Sequence, residues 1–311
     1  MSRGIGWFDA FREIVPEWSV ILLGLVTQLG DVWFLGLLVS AVYWTDTSDR
    51  DEGAVILGLT LSGLSLITGL KAFFALPRPE RVLVESGAVP TLARPLYEAT
   101  TTATGYGFPS GHALMSTVVY LSLAEYWSVS TARRRYLGAA VMVTIVCLSR
   151  VGLGVHYLAD VVAGVIAGLA FLLLASALLN RFPSHRGTLG FGLAVVVAIA
   201  ALVVSDLTPD AVLLFGTSLG AFAGWQLAVI ARRLGDGRGP IRSDRALTAR
   251  AAAAALLIAS LAIAAASYGP LSLAGGSGAL GIVSAAFVTA PVLYRREHVH
   301  RTAGGSPSGS R

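Results

Sequence analysis

The chain has 311 residues, of which 55% are hydrophobic and only 13% are charged, compared with about 25% charged residues in soluble domains. This composition excludes a soluble globular protein. The net charge of +5 comes from basic residues that lie in loops between apolar segments, so membrane topology accounts for it and we expect no nucleic-acid partner.

Nine apolar segments qualify as membrane helices, since a span needs about 20 mostly apolar residues. We predict spans at 18–44, 53–76, 111–128, 136–154, 157–180, 188–206, 211–230, 249–268 and 271–293. The first carries Gln28, Gly30 and Asp31 in its middle, so it is either one long tilted helix or a short re-entrant pair. The predicted fold is an all-α, polytopic transmembrane helix bundle embedded in a lipid bilayer.

The arginines of the loops predict the orientation of these spans. Arg-bearing loops follow the third, fifth, seventh and ninth spans, whereas the turns at 154–157, 205–210 and 267–271 contain neither Arg nor Lys. Basic loops tend to face the cytoplasm. We therefore expect a multi-pass cell-membrane protein with a cytoplasmic carboxyl terminus and with segment 77–110 outside.

Ionisable residues divide the chain in two. Every ionisable residue at an unusual position precedes residue 180, whereas the spans after 188 have no acid, base or histidine in their interiors. We predict a first membrane domain at 1–185 with its motifs at 71–160, additional transmembrane helices without an assigned function at 186–296, and a disordered tail at 297–311.

Three polar clusters lie at the outward ends of the spans in the first domain. A Lys, Arg or Asp at the centre of a membrane helix costs roughly 2.5–3.5 kcal/mol even on a lenient scale, so such residues are candidates for function. The clusters are Lys71, Arg78 and Pro79; Pro109, Ser110, Gly111 and His112; and Ser149, Arg150, His156 and Asp160.

The first cluster is open to two interpretations. Lys71 and Arg78 could simply extend to the membrane interface, as bases at helix ends commonly do. However, Lys71 is the one lysine beside 22 arginines, and both residues lie on the side where the topology otherwise avoids positive charge. A compact ammonium beside a planar guanidinium suits a tetrahedral oxyanion.

The second cluster opens the third span. A Ser-Gly step at a helix start offers unpaired backbone N–H groups, the positive end of the helix dipole and no Cβ to obstruct an anion. Ser110 is also expected to cap the helix. Capping does not explain His112, a titratable residue one turn into a membrane helix.

The third cluster pairs a histidine with a carboxylate. His156 and Asp160 are four residues apart, so on a helix they share a face, and the carboxylate can orient one ring nitrogen while the other faces the site. A structural pair that joins two helices is the alternative. Arg150 adds a third base at the same end of the bundle.

These side chains predict chemistry without a metal or another cofactor. Two histidines and three bases without cysteine do not resemble a zinc site, and one carboxylate is too few for a magnesium-assisted phosphatase. The set suits bases that bind phosphoryl oxygens, one histidine that attacks phosphorus, and a second that protonates the leaving oxygen.

The three clusters resemble the motifs of the type 2 phosphatidic acid phosphatase family, which shares its site with vanadium haloperoxidases. The match consists of Lys71 to Arg78-Pro79, then Pro109-Ser110-Gly111-His112, then Ser149-Arg150 to His156 and Asp160. It extends over roughly residues 50–180 and implies a membrane phosphatase. Members commonly have six core helices, whereas five predicted spans precede residue 180.

The resemblance implies a role for each matched residue. His156 would be the nucleophile that forms a phosphohistidine, Asp160 would orient it, and His112 would be the general acid. The expected phosphate-binding residues are Lys71, Arg78, Ser110, Gly111, Ser149 and Arg150.

The expected function is hydrolysis of a lipid phosphate or lipid diphosphate at the outer membrane face. A lipid-linked phosphotransferase is an alternative, because the choice between water and another acceptor depends on what reaches the site. A vanadate-dependent haloperoxidase fits less well, since nothing in that chemistry requires nine spans. A non-enzymatic lipid transporter is a further alternative, although intact motifs argue against it.

Overall fold

The computed structural model describes residues 19–45, 50–79, 87, 89–91, 94–101, 105–235 and 245–303. The regular structure within these ranges is helical, as predicted for an all-α fold. The helices are α1 (Ser19–Gln28), α2 (Val32–Thr45), α3 (Arg50–Phe74), α4 (Arg94–Thr101), α5 (Gly111–Tyr126), α6 (Ala132–Gly152), α7 (Leu158–Arg181), α8 (Arg186–Val204), α9 (Pro209–Gly235), α10 (Arg245–Tyr268) and α11 (Leu273–Ala303).

Seven of these helices are long and apolar enough to cross a membrane, namely α3 and α6 to α11. The pair α1 and α2 adds an eighth span if it is counted as one. The predicted third span falls short because α5 has 16 residues, which make about 24 Å of helix against a hydrocarbon core of about 30 Å. The described residues therefore form a multi-pass membrane fold with seven or eight candidate spans, where the sequence predicted nine.

The first predicted span is not one continuous helix. α1 ends at Gln28, α2 begins at Val32, and the two helices are bent by 42°. In the break, the amides of Leu29, Gly30 and Asp31 donate to carbonyl oxygens three residues back, at 3.0–3.1 Å. This tighter bonding interrupts the α-helical pattern, so the segment is a bent pair of helices, which fits either a broken span or a re-entrant pair, and not one continuous tilted helix.

The chain folds into two compact units, Met1–Asp206 and Leu207–Arg311. α5 is the most enclosed helix of the first unit, with 12 of its 16 residues buried. α3, α6 and α7 pack against it, and glycines allow α7 to approach closely. A Cβ on Gly164 would lie 2.6 Å from the carbonyl oxygen of Ser110, and one on Gly168 would lie 3.0 Å from Cβ of Thr117.

The first unit extends further along the chain than the predicted boundary at 185/186. α8 packs along α3, where a Cβ on Gly58 would lie 2.5 Å from the carbonyl carbon of Gly190, and one on Gly69 would lie 3.3 Å from Cα of Ala201. This close packing makes α8 part of the first unit. With the bent pair counted once and the eight-residue α4 set aside, its described residues contain six helical segments.

The second unit consists of α9, α10 and α11. Gly216, Gly220 and Gly224 recur every four residues along α9, and none has room for a side chain against α11, as is common where membrane helices pack through small residues. The predicted tail begins too early, because α11 continues to Ala303. No Pro or Gly follows Pro291 until 304, so nothing interrupts the helix there. Residues 304–311 lie outside the described ranges.

Candidate active site

Lys71 and Arg78 lie on either side of the carboxyl end of α3. The helix ends at Phe74, and Ala75 has a left-handed conformation with φ of 48°, which turns the chain out of the helix. Lys71 lies in the last helical turn, and its Nζ is 3.6 Å from the position that a Cβ on Gly111 would occupy. The ammonium of the first cluster therefore lies beside the second cluster.

The backbone joins the first and second clusters directly. Gly107 donates its amide to the carbonyl oxygen of Leu76 at 2.8 Å. A Cβ on Gly107 would lie 2.9 Å from Cα of Arg78 and 2.9 Å from the carbonyl oxygen of Pro77. Only a glycine permits this approach, so the loop before α5 fixes the distance between the two motifs.

Ser110 occupies the N-cap position of α5, and its amide donates to the carbonyl oxygen of Asp160 at 2.9 Å. This bond joins the second cluster to the third. The expectation that Ser110 also caps the helix with its side chain is wrong, because its hydroxyl makes no bond to the amides of the first turn and has no hydrogen-bond partner among the described residues. The first turn of a helix leaves its amides without intrahelical partners.

The spacing suggested that His156 and Asp160 share a helix. In the structure, Asp160 lies in α7, whereas His156 lies in the turn between α6 and α7. Tyr157 is the N-cap residue of α7, and its amide donates to Oδ2 of Asp160 at 3.1 Å. The same Oδ2 lies 3.6 Å from Nδ1 of His156, slightly beyond hydrogen-bonding distance but close enough for the carboxylate to favour a proton on this nitrogen. The hydrogen bond at the start of α7 therefore holds the Asp160 carboxylate beside His156, which gives the expected pair.

The ring of His156 lies between the first cluster and Asp160. Nη1 of Arg78 is 3.3 Å from Nε2 of His156 and 3.5 Å from the carbonyl oxygen of Val155. Only 3% of His156 is exposed, and Asp160 is fully buried. One face of the site therefore consists of a guanidinium, an imidazole and a carboxylate in that order.

The last turn of α6 brings Arg150 into the site, but the Ser149 hydroxyl bonds to the backbone of that helix. Nη1 of Arg150 donates to Oγ1 of Thr27 at 2.8 Å, and the guanidinium interacts electrostatically with both His112 and His156. The hydroxyl of Ser149 donates to the carbonyl oxygen of Val146 at 2.7 Å. The Ser149 hydroxyl therefore donates to the backbone of its own helix, and among the described residues no hydrogen bond joins it to the other predicted site residues.

Burial and charge act together on His156. Burial lowers the pKa of this histidine to about 4; the positive charges of Arg150 and Arg78 lower it as well, while Asp160 raises it. The imidazole is therefore neutral at pH 7. A neutral ring has a lone pair on one nitrogen, which a nucleophile requires.

Several buried polar atoms at the site have no hydrogen-bond partner in the described part of the chain. Such atoms are uncommon in folded proteins and call for an explanation. Most of those at the site are donors whose complement would be an anion. They are Nε of Arg78, Oγ of Ser110, Nε2 of His112, Nε of Arg150 and Nδ1 of His156.

A comparison with protein families matches residues 53–184 to the PAP2 superfamily. This segment is a PAP2 superfamily domain. A solved structure described as the first transmembrane PAP2 type phosphatidylglycerolphosphate phosphatase from Bacillus subtilis resembles the chain with a TM-score of 0.45 and 24% identity, over 56% of this chain and 83% of that one. A comparison with curated protein sequences found no match.

All three sequence motifs lie inside the PAP2 domain, and the structure brings Lys71, Arg78, His112, Arg150 and His156 together at one end of it. Among the described residues, no group of three or more His, Cys, Asp or Glu side chains could hold a metal ion. The clustered bases suit an oxyanion.

Two polar residues at the site were missed by the sequence motifs. Oδ2 of Asp31 lies 3.8 Å from Nε2 of His112, and Thr27 is the acceptor for Arg150. Both precede the PAP2 domain. The one available signal was the polar interruption around Gln28–Asp31 in an otherwise apolar segment. It indicated an irregular span but did not show that this span packs beside His112 and Arg150.

Proposed function

We propose that this chain is an integral-membrane phosphatase that releases phosphate from a lipid phosphate or lipid diphosphate through a phosphohistidine intermediate. The arrangement around His156 supports this best. Its Nε2 faces Arg78 at 3.3 Å and its Nδ1 faces Asp160 at 3.6 Å, so a neutral ring protonated on Nδ1 directs its lone pair toward the bases.

The first proposed step is attack on phosphorus. Nε2 of His156 forms a bond to phosphorus while the bond to the leaving oxygen breaks, and His112 transfers a proton to that oxygen. The ring of His156 becomes positively charged, and the carboxylate of Asp160 stabilises it. In the second step water attacks the phosphohistidine, gives its proton to His112 and releases phosphate, which restores both histidines.

The bases and the start of α5 would bind the phosphoryl oxygens. Arg78 and Arg150 present guanidinium groups whose Nε atoms have no partner among the described residues, and Lys71 lies beside Gly111. Preorganised donors of this kind stabilise the charge that develops on phosphoryl oxygens during transfer. Ser110 would donate its hydroxyl, whereas Ser149 would contribute only to the wall of the site.

We further propose that the site faces the outside of the cell and that the carboxyl terminus is cytoplasmic. The loop arginines support this orientation. Substrate would then be drawn from the outer leaflet, with its phosphate at the end of the helices and its apolar tails in the bilayer.

The direct test is phosphate release from a panel of lipid phosphates and diphosphates by the purified full chain. Release should continue in EDTA, and orthovanadate should inhibit it competitively, because vanadate adopts the five-coordinate geometry of phosphoryl transfer. Complete loss in EDTA that magnesium or zinc restores would contradict the metal-free mechanism. Transfer of phosphate to an added alcohol in preference to water would indicate the phosphotransferase alternative.

A further inference from the structure

The break between α1 and α2 is fixed against α5 and α6. The hydroxyl of Tyr120 donates to the carbonyl oxygen of Leu29 at 2.7 Å. Gly30 has no room for a side chain, since its Cβ would lie 2.8 Å from Oγ of Ser116 and 3.3 Å from Cδ2 of His112. The irregular backbone, costly in lipid, is therefore enclosed by protein directly beside a site residue.

Two polar side chains flank this break, and each contacts a different site residue. Thr27 is fully buried and accepts a hydrogen bond from Arg150 at 2.8 Å. Asp31 places Oδ2 3.8 Å from Nε2 of His112. The break thus brings one hydroxyl to a phosphate-binding base and one carboxylate to the proposed general acid.

The positive charges around His112 explain why a carboxylate such as Asp31 is needed beside it. Burial disfavours a second proton on the ring of His112, and the positive groups Arg150, Lys71 and Arg78 around it disfavour that proton further. A general acid must nevertheless be positively charged before it donates. A carboxylate within about 4 Å favours the charged form of an imidazole, and Asp160 is already engaged with His156.

We propose that Asp31 is a positioning residue that stabilises the imidazolium of His112 and orients its ring for proton donation to the leaving oxygen. This inference rests on the proposed function. The imidazolium of His112 loses its proton to the leaving oxygen as the phosphorus–oxygen bond breaks. It regains a proton from the water that attacks the phosphohistidine.

The test uses the dependence of the rate on the leaving group. An alkyl phosphate such as dodecyl phosphate leaves as an alkoxide and needs a proton, whereas 4-nitrophenyl phosphate leaves as a stable phenolate and needs none. General acids contribute about 10²–10⁴-fold to rate. The Asp31→Asn variant should therefore lose about 10-fold or more in kcat/KM for dodecyl phosphate and less than about 3-fold for 4-nitrophenyl phosphate.

Three further measurements separate this role from a structural one. Inhibition by orthovanadate should not be weakened in Asp31→Asn, because the bases of the oxyanion site remain and the negative charge that acts on Arg150 is removed. The Asp31→Glu variant should recover part of the lost rate. His112→Ala should show the same leaving-group dependence, and the double variant with Asp31→Asn should be no slower than His112→Ala alone, since residues that act as a unit are not additive.

Gln28→Ala is the matched control, because Gln28 lies at the same break and contacts Trp33. It should leave the ratio of the two substrates unchanged. An equal loss of both activities in Asp31→Asn, or a weakened vanadate inhibition, would overturn the assignment of Asp31. Absence of turnover by the unmodified chain on either substrate would instead reject the proposed phosphatase function, and the role of Asp31 with it.

Discussion

Nε2 of His156 lies 3.3 Å from Nη1 of Arg78, although 78 positions separate the two residues in the chain. Because a guanidinium can only donate, Nε2 must accept, and the proton of the neutral ring belongs on Nδ1, which faces Asp160. The contact therefore selects one tautomer of the proposed nucleophile before substrate arrives. A bound phosphate would accept the hydrogen bonds of the Arg78 guanidinium, so that the lone pair on Nε2 of His156 becomes available to attack phosphorus.

Replacement of His156 should abolish turnover without unfolding the protein. We expect His156→Ala to lower kcat by at least ~1,000-fold, because the nucleophile is one group that no neighbour can replace. Denaturing quench at alkaline pH of the unmodified protein with a 32P-labelled substrate should trap a phosphoprotein that is stable to base and labile to acid, and this species should be missing in His156→Ala. His185→Ala, which changes an exposed histidine in the turn before α8, should have wild-type activity. A substantial residual rate in His156→Ala would contradict the assignment.

Conversion of Lys71 to arginine should also impair activity, even though the charge is kept. The Nζ of Lys71 lies beside the glycine at the start of α5, and a larger planar fork cannot occupy that position without moving the phosphate. We expect Lys71→Arg to lower kcat/KM by about 10-fold or more, measured by phosphate release. Wild-type kinetics would show that Lys71 only extends to the membrane interface.

The pH dependence should show an unusually acidic histidine. Burial lowers the pKa of His156 to about 4, compared with about 6.5 for an ordinary histidine. Above the lowered value the ring of His156 is neutral and active, so the acid limb of kcat/KM should appear only as pH decreases toward about 4, while deprotonation of the general acid His112 gives a separate alkaline limb. The profile must be corrected for the second ionisation of the substrate phosphate, near pH 6. A corrected acid limb centred near 6.5 would contradict the prediction.

The contact between α3 and α8 should be sensitive to one added methyl group. A Cβ on Gly58 would meet the backbone of Gly190 at 2.5 Å, and neither helix can yield without separation of the pair. We expect Gly58→Ala to destabilise the protein by about 1–3 kcal/mol, measured as a lower Tm in detergent. Gly36→Ala is the control, because nothing among the described residues lies within 4 Å of its Cβ position. An unchanged Tm for Gly58→Ala would contradict this packing.

Orientation can be tested with single cysteines in a Cys147→Ala background. Tyr106 is 46% exposed in the loop before α5, and Ser130 is exposed beyond the opposite end of that helix. On intact cells a membrane-impermeant maleimide should label the Tyr106→Cys variant, and it should label the Ser130→Cys variant only after lysis.

The opposite labelling pattern would place the site in the cytoplasm and end the outer-leaflet proposal, while the phosphatase chemistry could stand. Ser86 and Ser243, which the sequence also suggests for such labelling, lie outside the described residues.

The charged and histidine side chains of the three motifs lie together as the sequence predicted, because each motif contains its own spacing and all three lie at ends of apolar segments, whereas the hydroxyl of Ser149 bonds within its own helix. It could not predict the partner of Asp31, since an aspartate in an apolar segment signals an energetic cost without naming the group that offsets it. It also gave no sign that α8 packs along α3 in the first unit. Helices rich in Ala, Val and Gly look alike in sequence, and the close approaches of Gly58 to Gly190 and of Gly69 to Ala201 are visible only in the structure.

The hydrogen bond from Tyr120 to Leu29 has a consequence for engineering. Two of the side chains at the candidate site, Thr27 and Asp31, come from residues upstream of 53, so the segment that matches the family is smaller than the candidate site. A chimera that grafts residues 53–184 onto another membrane scaffold would keep the proposed nucleophile but lose the carboxylate beside His112. Transplantation should therefore start no later than Ser19.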